Sequence, residues 1–300
     1  MRNVGAASSA LGAPTSTANG TVRIGTNTTT GTLQYVGMGD ETDRVIEMAG
    51  STGGAYLDHS GTNLWKLNGN VISAFPGNKQ LRLQGSTGAT GEIAGVISDY
   101  DAGSVNNLYK NGTGAWRLSG ANTFKGTVEN NQGVLIINNS AALGAGSKQV
   151  RLTNGTAGNP QLHLDGTYGD IVLGSEITFY TSNSGEGAIF NIAGNNSIAG
   201  NFSLTGGGGG TALQSKAGKL TLSGTFTPDQ TLREFYLRGD GDGEISGVIQ
   251  NGGTVNMPVY RTGGNGTWIL SGANTFSGST IVNSGSLVVG GANGAIGGGV

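Results

Sequence analysis

The chain has 300 residues and a formal net charge of −2 from 16 basic and 18 acidic side chains. Gly (59), Thr (32), Asn (28) and Ser (25) fill 144 positions, whereas Leu, Ile, Val and Phe together supply 66. So much glycine with so few charges excludes an ordinary helical or α/β domain, and five prolines with irregular glycine spacing exclude collagen. Weak self-repulsion favours a folded but core-poor architecture over disorder. Scattered Lys and Arg leave no electrostatic footprint for nucleic acid. The lack of cysteine removes disulfides, thiolate metal sites and Cys nucleophiles. The longest aliphatic run, Val134–Ile137, is far short of the ~20 apolar residues of a membrane helix, so no membrane insertion is expected within these residues.

Taken in chain order, Met1–Ser9 has no apolar core of a secretory signal, and Ser9–Ala13 is a partial copy of Ala141–Ala145. From Leu33 onward a short unit recurs: apolar, any residue, apolar, any residue, Gly. Copies include Leu33/Tyr35/Gly37, Ile46/Met48/Gly50, Trp65/Leu67/Gly69, Leu81/Leu83/Gly85, Trp116/Leu118/Gly120 and Leu162/Leu164/Gly166. Further copies are Phe190/Ile192/Gly194, Phe202/Leu204/Gly206, Leu220/Leu222/Gly224, Phe235/Leu237/Gly239, Trp268/Leu270/Gly272 and Leu287/Val289/Gly291. Alternation at period 2 predicts a short strand with both apolar residues inward. The closing glycine permits either a positive φ or a close pass by neighbouring backbone.

A longer period contains the shorter one. Trp116–Phe124 recurs as Trp268–Phe276 and Glu92–Ile97 as Glu244–Ile249, both offset by 152 residues. Over columns 116 to 137 the offset holds without a gap and 12 of 22 positions are identical. The copies run over about 1–30 (partial), 31–147 and 148–300. Strands this short cannot each build a core, but stacked as coils of one continuous solenoid each covers the next. Coils of about 20 residues are expected, with Trp65, Trp116 and Trp268 inside and Asn at corners, where Asn tolerates left-handed backbone and bonds to it. The rival is an antiparallel sandwich with Asn-Gly hairpins, as at 19, 68 and 111. The long repeat favours the solenoid.

The stretch Gly266–Val289, and its copy Gly114–Ile137, resemble the autotransporter-associated β-strand repeat, also called the passenger-associated transport repeat. Tyr35–Arg44 and Ser8–Pro14 are similar to inter-repeat segments of long bacterial surface proteins built from it. The resemblance implies an all-β, right-handed parallel β-helix in a secreted or surface-displayed protein, and it brings no catalytic residues.

Candidate sites are few. Asp240, Asp242 and Glu244 alternate and could share a face for calcium, although the matched stretch Ser86–Glu92 keeps only Glu92. The carboxylates of Asp40–Asp43 and of Asp99–Asp101 could pair for glycoside cleavage; solvated corners are the simpler reading. His163, between Leu162 and Leu164, falls on the solvent side of a strand. His59 lies between Asp58 and Ser60, but adjacent residues of an extended chain point apart, so these three form no triad. Gly206–Gly210 lacks the Lys and following helix of a phosphate loop. Thr26, Thr28, Thr30 and Thr32 could form a flat file, though only one coil would have it. No catalytic, metal or cofactor site is assigned.

The expected function is a non-catalytic extracellular structural segment, a stalk or filament of a bacterial surface protein with adhesive capacity. Its partners would be further copies or flanking repeats stacking at the coil ends, and surface glycans or other cells. The chain begins and stops within a repeat, as expected of a slice of a longer array or of a self-stacking subunit. The competing reading is a polysaccharide-binding or polysaccharide-degrading β-helix, which predicts aromatics and carboxylates on one lateral face. The eight tyrosines cannot be aligned on a face without the coil length.

Overall fold

The computed structural model describes residues 1–153, 158–182, 185–206, 209–229, 233–253 and 256–290. Short strands dominate, and every ladder between the strands named below is parallel. Antiparallel pairing among the described residues is limited to the isolated bridges Ser9↔Gly12 and Thr26↔Thr29. A sandwich of hairpins is therefore ruled out, and the fold is a parallel β-solenoid.

The chain divides into two compact units. The first comprises Met1–Glu129, Gly133–Ile137 and Ala141–Lys148; the second comprises Asn130–Gln132, Asn138–Ser140 and Gln149–Val300. In the first, successive turns of chain lay strands into three sheets. One sheet stacks Val22–Ile24, Ile46–Met48 and Val71–Ser73. The next stacks Gly31–Tyr35, Ala55–His59, Asn78–Gln84 and Val105–Lys110. The third stacks Asp40–Thr42, Trp65–Leu67, Thr90–Ile93, Ala115–Leu118 and Val134–Ile137.

The second unit follows the same plan. One sheet contains Gln161–Asp165, Ile189–Ala193, Thr211–Ser215, Phe235–Arg238, Val259–Arg261 and Thr280–Val282. Another contains Val172–Leu173, Asn195–Ile198, Lys219–Leu222, Asp242–Ile245, Thr267–Leu270 and Ser286–Val289, and a third contains Ile177–Thr181, Phe202–Leu204 and Phe226–Pro228.

Register gives the coil length that periodicity underestimated. Val22 pairs with Ile46 and Ile46 with Val71, steps of 24 and 25 residues. Three strands share a coil, so neighbouring motifs lie closer in sequence than one full turn. The coil shortens to 19 residues where the Trp repeats stack: Trp116 pairs with Leu135 and Trp268 with Leu287.

Alternation delivers the core. Trp65–Leu67 and Phe202–Leu204 bury their first and last residues and leave the middle one half-buried. All three tryptophans are buried, and Phe179, Phe202 and Phe226 stack coil on coil at 5.1 and 4.4 Å between centroids. One motif copy is inverted. Phe190 pairs with His163 while Ile189 and Asn191 pair with the inward Leu162 and Leu164, so Phe190 faces outward. It is buried all the same, close to Gly187 in the segment that precedes its strand.

At two columns of corners glycine is needed for close approach, whereas Gly85, Gly194 and Gly239 close their motifs at positive φ. Gly69, Gly95 and Gly120 form one column, and Gly200, Gly224, Gly247 and Gly272 another. None has a positive φ, yet a Cβ on any of them would meet a carbonyl oxygen of the preceding coil far inside the 3.0 Å that real Cβ atoms keep. Corner asparagines likewise act by hydrogen bonding. Only Asn27 and Asn159 among the described non-glycine residues have positive φ. Asn70, Asn107, Asn195 and Asn201 instead accept the backbone N–H of Val96, Thr127, Lys219 and Thr225 on the next coil, at 2.9 to 3.1 Å.

Replacing Gly95 by Ala should force adjacent coils apart and destabilise the first unit by about 3 kcal/mol. Gly88→Ala, where nothing lies within 4 Å of the added carbon, should change stability by less than about 0.5 kcal/mol. Urea-unfolding midpoints by circular dichroism compare the two; equal losses would contradict the close-approach account.

Candidate functional site

In each unit a Glu and a Ser shared by the long repeat meet on the outward side of the Trp-bearing sheet. Glu92 is buried beside Lys66 Nζ at 3.4 Å and Arg117 Nη1 at 3.9 Å, and it accepts from Ser119 Oγ at 2.6 Å. Its counterpart Glu244 takes Lys219 Nζ at 2.6 Å and Ser271 Oγ at 2.8 Å. The Lys219 hydrogen bond, then that of Ser271, holds the Glu244 carboxyl below its usual range. In the first unit Glu41, Lys66, Glu92 and Arg117 fall in one outward column of alternating sign. Opposite charges face each other in this register, whereas a slip by one coil would place basic on basic or acid on acid at the remaining contacts.

Each tryptophan is preceded by a buried base. His59, Lys110 and Arg261 end the strands Ala55–His59, Val105–Lys110 and Val259–Arg261, six, six and seven residues before Trp65, Trp116 and Trp268. Their exposures are 2%, 0% and 0%. Lys110 Nζ donates to Asn111 O at 3.1 Å and Gly112 O at 2.7 Å. Arg261 donates to the carbonyls of Leu237, Gly239, Thr262, Gly264 and Gly266 at 2.7 to 3.2 Å. Gly112 and Gly264 turn this corner at φ +74° and +134°, and the cation satisfies carbonyls that the turn directs inward. The indoles complete the corner. Trp116 Nε1 donates to Gln84 O at 2.9 Å and Trp268 Nε1 to Arg238 O at 3.2 Å. Trp116 lies over Gly91 and Trp268 over Gly243, where an added Cβ would enter the ring. Sequence reading overlooked Lys110 and Arg261 because Lys and Arg are rarely fully buried; the available signal was a base six or seven residues before each Trp.

The sequence-singled carboxylates serve backbone. Asp99 accepts Asn106 N at 2.7 Å and Lys125 N at 3.0 Å, and Asp43 accepts Val4 N at 2.7 Å. Asp40 accepts the N–H of Glu41 at 3.0 Å. Asp101 accepts from Ser104 Oγ at 2.7 Å, a bond that lowers its pKa. Asp240 and Asp242 accept Asn265 N and Thr267 N, both at 2.9 Å, while Glu244 is taken by Lys219. Among the described residues no three His, Asp or Glu side chains gather as a metal-sized group.

His59 points into the core among Tyr35, Trp65 and Trp116, whereas Ser60 Oγ donates to Asp58 Oδ1 at 2.5 Å on the outside. Burial lowers the His59 pKa. His163 does face outward, but it is half-buried, 4.7 Å from the Phe190 ring and 2.9 Å from Gln161, and burial pushes its pKa down to about 4. The threonine file is broken: Asn27, at φ +48°, and Thr28 form the turn closed by the Thr26↔Thr29 bridge. Residues 207 and 208 of the glycine run lie outside the described residues.

Register aligns tyrosines on outward faces. In the first unit Tyr56, Arg82 and Tyr109 form one column, the guanidinium 5.6 and 4.5 Å from the two rings. In the second, Tyr236 and Tyr260 stack at 4.9 Å and both hydroxyls donate to Glu234, while Arg238 lies over Tyr236. Burial and the Glu234 bond raise the Tyr236 pKa to about 12.

These coils define a class: a parallel β-solenoid with repeated Trp-bearing short coils and corners closed by backbone bonds. Residues 108–137 and 263–289 each match the family model of the passenger-associated transport repeat. Over 158 residues it is 35% identical to the adhesin BmaC autotransporter of Brucella suis biovar 1 (strain 1330). That match covers 52% of this chain and 4% of the relative's length. No solved structure matches.

Burial holds the Lys110 pKa down to about 7 from 10.5. Between these values the unfolded chain binds the extra proton, so stability rises with pH from 7 to 10.5 and is flat below 7 on this account. Lys110→Met should remove up to about 1.4 kcal/mol of that rise per pH unit. Urea midpoints at pH 7, 8.5 and 10 measure it, and identical slopes in both proteins would refute the desolvated ammonium.

Proposed function

We propose that this chain is a non-catalytic, extracellular segment of a bacterial surface adhesin, a β-solenoid stalk that displays its lateral faces. The observation that carries the reading is the use of the repeated residues: Trp, Gly, Asn and Glu contact the adjacent coil, and Lys110 and Arg261 bind the corner carbonyls before each repeat tryptophan. The resemblance of half the chain to an autotransporter adhesin supports the adhesive role and the cell-surface location. Further repeats or copies would stack by the same coil-on-coil pairing. The polysaccharide-degrading alternative gains nothing from the comparisons, and the carboxylates considered for it bond to backbone or to neighbouring side chains.

Beads coated with the purified chain should bind cultured epithelial cells at least about fivefold above albumin-coated beads, and incubation with a polysaccharide panel should release no reducing ends. Binding at the albumin level would defeat the adhesive reading, and released reducing ends the non-catalytic one.

A further inference from the structure

The outward face of Gly31–Tyr35, Ala55–His59, Asn78–Gln84 and Val105–Lys110 differs from the other faces of the first unit. On the Trp-bearing sheet the outward charges Lys66, Glu92 and Arg117 are consumed by one another. On the shortest sheet Arg23 pairs with Glu47 at 2.6 Å, beside Ile72. Here, by contrast, one column reads Thr32, Tyr56, Arg82, Tyr109 and the next Gln34, Asp58, Gln84. Gln80 and Asn107 face each other in a third. The groups are planar and polar or aromatic, and they hold one another upright. Gln84 Nε2 donates to Asp58 at 2.9 Å, Gln34 Nε2 to Ser60 Oγ at 3.1 Å, and Arg82 to Gln80 at 2.7 Å between two tyrosine rings.

Three observations select the ligand. The outward charges of these four strands are Arg82 and Asp58, which cancel, and the neighbouring strand Val128–Asn130 adds only Glu129, while Lys79 and Lys110 point inward; neither a polyanion nor a polycation is favoured. Unlike Tyr236 and Tyr260, which are tied to Glu234, the Tyr56 and Tyr109 hydroxyls bond to no protein group among the described residues. Four strands ~5 Å apart and about five residues long cover on the order of 300 Å². That is well below the ~800 Å² per partner of a stable protein interface, and it offers almost no aliphatic surface to anchor one. A chain of hydroxylated rings needs only such a footprint, with amide, carboxylate and guanidinium edges positioned for paired hydroxyls.

We infer that this face binds a neutral polysaccharide, which names the ligand class of the adhesive surface and rests on that reading. The purified chain is run in native gels containing dextran, laminarin, galactomannan or xyloglucan, with heparin as the anionic arm. At least one neutral polymer should retard it. The double variant Tyr56→Phe/Tyr109→Phe, which keeps both rings, should bind about tenfold more weakly with an unchanged thermal midpoint, and Tyr236→Phe/Tyr260→Phe should bind as the parent does. Retardation by heparin alone, by no polymer, or equally for both double variants overturns the inference. Coated beads that adhere unchanged to enzymatically deglycosylated cells would overturn it while leaving adhesion standing. Polysaccharide retardation without bead adhesion would do the reverse.

Discussion

Stacked parallel strands lie ~4.8 Å apart, and every part of this molecule answers to that spacing. Side chains pointing inward can tile at this distance, as the Phe179, Phe202 and Phe226 rings do. Corners are less forgiving, because there the backbone of one coil passes directly over the next. Gly69, Gly95 and Gly120 occupy that crossing, where even a methyl group would strike a carbonyl. The same economy places Trp116 over Gly91 and Trp268 over Gly243, so that a large ring alternates with an empty position. Half the composition is small or turn-prone for this reason, and the core is rich in contacts although poor in apolar residues.

A fold with a corner every few residues must also satisfy many backbone groups outside regular ladders. Asparagines at the corners accept N–H groups of the following coil, and Asn122, in the interior, accepts Ile97 N of the preceding coil at 2.8 Å and donates to Ala142 O of the following one at 2.6 Å. The complementary problem, carbonyls turned inward, falls to buried cations. Arg44 donates to Arg2, Leu11 and Gly12, Lys148 to Phe124 and Leu143, and Arg261 to five carbonyls. Carboxylates that resemble candidate chemistry, such as Asp240 and Asp242, act in the same service. Polar residues that would suggest an active site in another fold are here the fastenings between coils.

Because the interior and the corners absorb most of the repeated residues, the outward positions beyond Glu92, Glu244 and their serine partners are free to differ. That freedom separates the charge ladder Glu41–Lys66–Glu92–Arg117 from the tyrosine and amide columns around Arg82. A solenoid in this sense is a scaffold whose function resides in lateral side chains, and the fold alone does not specify it.

Fold class was legible in the sequence, because period-2 alternation closed by glycine and repeated at an offset of 152 residues can bury its apolar face only by stacking. The inward placement of Trp65, Trp116 and Trp268 followed from the same pattern, as did the separation of His59 from its neighbours. Coil length did not, since motif spacing counts strands while register counts full turns. Phe190 reads as an inward residue in sequence, yet pairing with His163 turns it outward and the segment before its strand covers it. The Arg261 bonds to Leu237 and Gly239, and the alignment of Tyr56, Arg82 and Tyr109, join groups some 25 residues apart. Local sequence fixes which side of a strand a residue faces; only the pitch of the closed coil decides which residue stands above it.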